Sequence, residues 1–586
     1  MTKRIKPQWV VIKFGGTSVA EPGSWDTIAA LVCQKVHAGF SCLVVCSALS
    51  GVSDLLASLV PAQAMSGDYA EVLDKITHKH RVFGAALGVD IESVIADELA
   101  ALERIALGVS LTQECSPPLI ARVMAMGEIM LTKIGAHYLN QKKVPTHWQD
   151  ARQWLCSREN PLLSAERRFL SAACDYQQDE LLQQALMKIK PPVVLTQGFI
   201  ANNHKGQTVL LGRGGSDTSA AYFAAKLQAH CCEIWTDVPG IYTANPHHIP
   251  AARLLKSLTF DEAREIASTG AKVLHPHCLA PLAAYNIPLS IHCTRHPDWA
   301  GTQISNDVPL IEAQVKAISV KTGIVVIAME TISMWQQVGF LASVFACFQK
   351  HSVSVDLVST SENTVTVSLD SDRFHYSAEA LKCLLEDLGQ YCTARVISPC
   401  AAISLIGRNI RAILHQLAPV FEVFKEQKVY LLTQATNDLN LTVVVDEAES
   451  EFLLHKIHAL LFECLNTAGE LGKSWQNAFP ETIAATYWWY KKREALLALA
   501  KKSSPLYVYD ESIFRRQVSR LQSLKHIDKI FYAMKANWDE SVLRLFYQLG
   551  LGFECVSQGE LVRIFNLFPE IDPTRILFTP NFAPKE

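Results

Sequence analysis

Short apolar runs alternate with helix-like stretches over residues 1–305, the pattern of an α/β sheet covered on both faces. The runs 9–14, 41–46, 193–197 and 232–235 read as strands, each ending at glycine, serine or threonine before helical sequence. Ligands in such sheets collect at the carboxyl ends of the strands, so the polar residues that follow these runs are the first candidates for chemistry. Residues 80–180 read as mainly helical. Beyond 305 the texture changes to two successive strand–helix–strand–strand–helix units, 316–395 and 396–470, each a split βαβ pattern. The first is read as opening on a strand at 317–320, followed by a helix at 340–351 and a hairpin at 353–359 and 364–369. The second has strands at 402–407, 429–434 and 439–445. Residues 471–503 read as a polar helical connector that docks by its tryptophans. A third α/β pattern occupies 504–586, with strands at 506–509, 530–533 and 576–579.

Composition narrows the class. At 586 residues, with 49% hydrophobic and 19% charged residues, the chain is globular and multi-domain. A net charge of −3 provides no broad basic field for nucleic acid or anionic lipid, so anionic substrates must be caught by local groups. The 16 cysteines show no repeated C-x-x-C spacing and are read as buried, reduced thiols, with no metal site expected. The start lacks a signal-peptide apolar region, and no apolar run reaches the roughly 18 residues of a membrane span, so a cytoplasmic protein is expected.

Three segments carry the chemistry. The first run ends in Lys13-Phe14-Gly15-Gly16-Thr17-Ser18, where paired glycines let backbone amides approach phosphate oxygens and lysine adds a point charge. The spacing is not that of a Walker loop. The second segment, Leu211-Gly212-Arg213-Gly214-Gly215-Ser216-Asp217, runs into an alanine-rich helix. Its glycines expose helix-start amides, and Arg213 can grip a carboxylate with two parallel hydrogen bonds. The third, Trp235-Thr236-Asp237 through Tyr242-Thr243, is a strand ending in a polar turn.

Together with Met126-Gly127-Glu128 and the 270–276 segment that includes Lys272 and Val273, these residues fall in the order and spacing of the amino-acid kinase family. Within it they resemble the aspartate kinases, over residues 9–470. The resemblance implies a three-layer αβα sandwich and an ATP-dependent phosphorylation of the side-chain carboxylate of L-aspartate, with Mg²⁺ bridging the nucleotide phosphates. It also implies roles. Lys13 and Asp217 would be catalytic, the lysine neutralising the transferred phosphoryl group and Asp217 orienting it or the magnesium shell. Ser53, Glu128, Arg213, Gly214, Gly215 and Ser216 would bind aspartate. Lys13, Phe14, Gly15, Gly16, Thr236, Asp237, Tyr242, His247, Lys272 and Val273 would hold ATP. One departure stands out: the family usually has a basic residue where His247 stands, and a mostly neutral imidazole would weaken a phosphate contact.

The two small units resemble ferredoxin-like ACT domains, which pair through their sheets and bind amino acids at the seam. The resemblance implies a homodimer or higher homo-oligomer and feedback inhibition by L-lysine, bound by Met334, Gly339, Phe340, Leu341, Ser354, Val355, Asp356, Ser361 and Glu362. The last segment, with Lys535 at a strand end and Gly552-Phe553-Glu554 further on, resembles the start of the pyridoxal-phosphate βα barrel of diaminopimelate decarboxylases. There Lys535 would form the Schiff base. The remaining barrel segments do not appear before Glu586, so no decarboxylase activity is expected, and pyridoxal phosphate is expected only of a complete module. Two other readings stay open: an amino-acid sensor with an inactive kinase site, and a bifunctional enzyme whose decarboxylase half is completed elsewhere. ATP turnover and the absorbance of bound cofactor would separate them.

Overall fold

The strand Trp9–Phe14 is buried along its whole length, and so is Val193–Gln197. A strand apolar on both faces belongs inside a parallel sheet with helices on either side. The computed structural model has that arrangement. It describes residues 8–60, 69–112, 114–270, 273–307, 313–330, 338–370, 378–463, 471–480, 488–524 and 527–580, and the chain divides into two compact units, Met1–Phe479 and Pro480–Glu586.

The first unit holds an eight-stranded sheet. Its order is Thr146–Gln149, Val193–Gln197, Ser41–Cys46, Trp9–Phe14, Cys231–Thr236, Leu289–Cys293, Thr302–Ile304, Ser257–Leu258. The first six pair in parallel, and the antiparallel Thr302–Ile304 closes that run. Trp9–Phe14 therefore lies centrally, and its carboxyl end opens between those of Ser41–Cys46 and Cys231–Thr236. The 25-residue helix Pro117–Gln141 crosses one face and buries Glu128 among apolar side chains. It approaches closely at Gly135, where a Cβ would lie 2.0 Å from the Trp25 ring.

The region 314–446 departs from the sequence reading. It is one six-stranded sheet, ordered Leu357–Thr360, Thr364–Asp370, Gln314–Glu330, Thr393–Arg408, Asn440–Asp446, Leu431–Gln434. The two central strands run through both units, so the expected boundary at 395/396 falls inside a strand. The 317–320 segment, expected to open the first unit, pairs instead with Ile403–Ile406 territory of the second: Ala317 faces Ile406 and Val320 faces Ile403. The first unit opens at Ile324, whose strand half pairs with Thr364–Asp370. One unit is thus inserted within the other. The register shifts between Lys321 and Ile324, and Gly323 adopts φ +70° there, marking the junction.

A buried charge cluster joins this sheet to the catalytic core. Thr259 and Glu262 form a capping box on helix Phe260–Ser268. The fully buried Glu262 carboxylate also lies 3.1 Å from Lys316 Nζ and 3.2 Å from Arg408 Nε, on the two central regulatory strands.

The expected connector boundary at 470/471 also moves. Leu471–Ser474 is a strand that pairs with Arg253–Leu255 of the catalytic core, and Trp475 is buried beside it. In the second unit a three-stranded parallel sheet, Phe531–Ala533, Gly552–Cys555 and Ile576–Phe578, packs Phe553, Phe546, Leu543 and Ile564 into a small core. The strand expected at 506–509 is absent: the four residues lie outside any ladder and Tyr507 is 89% exposed.

Candidate active site

Lys13 is the penultimate residue of the central strand, level with Val45 and Ile234 on its neighbours. A cation at this depth requires a counterion. Its Nζ lies 2.6 Å from Asp217 Oδ1, with both side chains nearly buried. Asp217 reaches it from the first turn of helix Gly215–Leu227. Beyond Lys13 the backbone turns sharply: the Gly15 amide donates to the Trp235 carbonyl at 3.1 Å. A Cβ on Gly15 would sit 3.4 Å from Lys13 Nζ, and one on Gly16 would sit 3.3 Å from the Ala48 carbonyl. Glycine here keeps the ground above the lysine clear.

The 211–217 segment closes on the same place. Gly214, the N-cap of the helix, adopts φ +69°, and a Cβ on it would fall 2.3 Å from His275 Cβ. Ser47 Oγ donates to Ser216 Oγ at 2.9 Å, tying the loop after Ser41–Cys46 to the helix start. Arg213 is exposed and makes no ion pair among the described residues, so its guanidinium is available to an incoming carboxylate.

Glu128 completes the cluster from below. Its Oε1 accepts from the Ala48 amide at 3.2 Å, while Oε2 is buried with no hydrogen-bond partner among the described residues. Burial pushes its carboxyl up to about 8, against only partial relief from that amide. Ser53 lies half-buried in helix Val52–Ser58 just beyond.

The third segment borders the first glycine of the pair, Gly15, through the Trp235 carbonyl. Thr236 Oγ1 donates to Asp237 Oδ1 at 3.1 Å at the strand end. Tyr242 is buried, its hydroxyl without a partner among the described residues and its ring edge-on to Trp475 at 5.4 Å. His247 is exposed, 6.0 Å from the same tryptophan. Val273 is half-buried, and Lys272 lies outside the described residues.

Lys13, Gly15, Gly16, Ser216, Asp217 and Glu128 are thus linked contact by contact. Tyr242 and His247 share the Trp475 contact, and that residue was missed at the sequence level because its segment reads as a connector.

The effector residues form a second group. Gly339, at φ +88°, caps helix Phe340–Lys350. Phe340 is buried in the apolar core of that unit, so its side chain is structural, whereas Leu341, Ser354, Ser361 and Glu362 are exposed and Val355 is half-buried. Asp356 lies 3.5 Å from Lys321 Nζ, which also pairs with Asp370 at 2.7 Å. Met334 lies outside the described residues. In the second unit Lys535 is exposed on the turn after Phe531–Ala533 and makes no hydrogen bond or ion pair among the described residues.

Comparison with known proteins adds three findings. A family model described as the amino acid kinase family matches residues 8–293, and one described as the pyridoxal-binding domain of pyridoxal-dependent decarboxylases matches residues 511–586. The lysine-sensitive aspartokinase 3 of Escherichia coli K12 is 32% identical over 465 residues, covering 78% of this chain and 99% of the relative. Aspartokinase 3 from the chloroplast of Arabidopsis thaliana is 29% identical, covering 79% of this chain and 83% of the relative. Among solved structures, E. coli aspartokinase III in complex with aspartate and ADP (R-state) is similar at 31% identity with TM-score 0.66, over 78% of this chain and all of that one. The same enzyme with lysine and aspartate (T-state) gives TM-score 0.60 at 31% identity, over 77% and 99%.

Proposed function

The chain belongs to the aspartokinase family, and we propose accordingly that its Lys13–Asp217 cluster transfers the γ-phosphoryl group of ATP to the side-chain carboxylate of L-aspartate. The observation that carries this reading is a nearly buried lysine held by Asp217 next to the Gly15-Gly16 turn, together with a buried carboxylate oxygen of Glu128 that has no hydrogen-bond partner among the described residues.

The nucleophile needs no base. The substrate's side-chain carboxylate is ionised at neutral pH. It attacks the γ-phosphorus, forming the acyl C–O–P bond as the bond to the ADP oxygen breaks. What the protein must supply is position and charge. Lys13 and the Gly15 and Gly16 amides would neutralise the transferred group, and Asp217 would aim the lysine. Arg213 would hold the α-carboxylate, with the Gly214, Gly215 and Ser216 backbone closing over it and Ser53 alongside. Thr236, Asp237, Tyr242 and His247 would hold the nucleotide, and Mg²⁺, whose shell Asp217 would help to order, would supply further positive charge to its phosphates.

Glu128 would receive the substrate's α-ammonium. Its carboxyl stays protonated to about pH 8 in the free protein, so binding the ammonium expels a proton. The KM for aspartate is therefore expected to fall as pH rises towards 8 and to level off above it. Glu128→Gln should give a KM raised at least about tenfold and flat across that range, as read from initial rates at pH 6.5 to 9. The folded protein holds this proton more tightly than the unfolded chain, whose glutamate titrates near 4.5. The stability held below pH 4.5 is therefore lost as pH rises through 8, and Glu128→Gln should be the more stable protein above pH 8.

Lysine inhibition is proposed to act at Asp356, where the effector's ε-ammonium would displace Lys321. Asp356→Asn should raise the half-inhibiting lysine concentration at least about tenfold and leave uninhibited kcat within twofold. A homodimer through the regulatory sheet is proposed as well, to be read by light scattering. Lys535, an exposed amine with no held geometry, does not fit a Schiff-base site, and no chemistry is derived for it. No helix among the described residues is long and apolar enough to cross a membrane.

The deciding experiment is aspartate-dependent acyl phosphate formation by the purified chain, trapped with hydroxylamine, with and without millimolar lysine. Turnover suppressed by lysine supports both assignments. Turnover indifferent to lysine removes the effector site alone, and none at saturating ATP removes the kinase reading.

A further inference from the structure

The polar turn after Cys231–Thr236 is gripped from elements that follow the catalytic core in sequence. The Ile318 amide, on the regulatory strand Gln314–Glu330, donates to the Thr243 carbonyl at 2.7 Å. The Thr243 hydroxyl accepts from the Arg253 amide at 3.0 Å and lies 3.0 Å from His458 Nε2, in helix Ser450–His458. The hydroxyl keeps a second lone pair as well as its proton, so it meets the imidazole in either tautomer. Burial pushes the His458 imidazole down to about 4, consistent with a neutral ring.

The third hold is Trp475. The chain leaves the regulatory sheet, returns to the catalytic core and adds the strand Leu471–Ser474 to Arg253–Leu255. Its backbone is fixed by Trp475 N to the Ala252 carbonyl at 2.8 Å and Gln476 N to the Pro250 carbonyl at 3.0 Å. Arg253 locks the register by donating to the carbonyls of Leu471 and Gly472. The buried indole then stands edge-on to Tyr242 at 5.4 Å, backed by Phe479 at 4.3 Å. Among the described residues Tyr242 has no hydrogen bond to its hydroxyl, so the orientation of its ring depends on packing, and Trp475 is part of that packing.

We propose that Trp475 and His458 are positioning residues for the nucleotide, fixing the turn around Tyr242 and Thr243 in its ATP-binding conformation from beyond the regulatory sheet. This rests on the reading of that turn as the nucleotide site. It also gives the sheet a mechanical route to ATP affinity, since two of the holds lie on or next to regulatory elements.

The test is steady-state kinetics of the full chain. Trp475→Ala should raise the KM for ATP about five- to tenfold, with kcat and the KM for aspartate within twofold. Trp475→Phe, which restores a ring, should return the KM for ATP to within about threefold of the parent. If Trp475→Ala does not fold, Trp475→Leu keeps the bulk without the ring and carries the same expectation. An unchanged KM for ATP in an otherwise active variant overturns the proposal, and so does a parallel rise in both Michaelis constants, which marks a merely structural role. A parent chain that phosphorylates no aspartate removes the functional reading, and this inference with it.

Discussion

Replacing Lys13 by methionine should lower kcat by about three orders of magnitude, the scale of removing a preorganised charge from a phosphoryl-transfer site. The substitution preserves length and apolar stem, so packing around the central strand is kept. It also strands the Asp217 carboxylate, which sits 13% exposed with its partner 2.6 Å away. An unpaired charge at that depth is destabilising by itself, so lost activity could be confused with lost fold. The double variant Lys13→Met, Asp217→Asn separates them, because it removes both charges. Its thermal midpoint should return to near the parent's while its turnover stays about a thousandfold down. Turnover restored with stability would refute a catalytic role for the lysine.

The second large effect lies far from the chemistry. Glu262→Gln should cost about 3–5 kcal/mol of stability, read as a shift of the urea midpoint at unchanged slope. The glutamine can still accept the Thr259 amide, held at 2.8 Å, so the helix cap survives. What it cannot do is balance Lys316 and Arg408, both nearly buried against the carboxylate. Replacing all three by leucine and methionine should recover most of the loss, since removing a buried cluster whole costs far less than removing one member. The cluster links the helix after the nucleotide segment to both central strands of the regulatory sheet. The single variant should therefore also blunt lysine inhibition, with a shallower response to effector at fixed ATP.

The catalytic sheet was legible where burial on both faces leaves an unbroken apolar run: 9–14, 41–46 and 193–197 agree with the strands to the residue. Thr146–Gln149 escaped notice because a four-residue strand with one buried position carries no period to read. The nested regulatory units escaped for a different reason. The run at 317–320 looks the same whichever strand it pairs with, and partner choice is settled by contacts far along the chain. The Glu262 cluster was half-readable: Thr259 and Glu262 have capping-box spacing, but Lys316 and Arg408 are joined to them only by the fold. At the candidate active site Lys13, Gly15, Gly16, Ser216, Asp217 and Glu128 are linked in space, while Trp475, in a mostly polar stretch, carries no motif that points to its contact with Tyr242.

The insertion of one regulatory unit inside the other has a consequence during synthesis. The strand half at Gln314 finds its partner, Arg408, only after the whole inserted unit has been made. At about 5–20 residues per second it waits on the order of 5 to 20 s with its ladder unfilled. The inserted unit, whose strands are complete by Ile397, can fold first. In doing so it brings the two outer strand halves side by side, because each continues directly from a strand already paired within it. The entropy of closing the long outer loop is then met by the folding of the inner unit, so a lesion there, at Val344 or Phe348 for example, should slow assembly of the outer one as well.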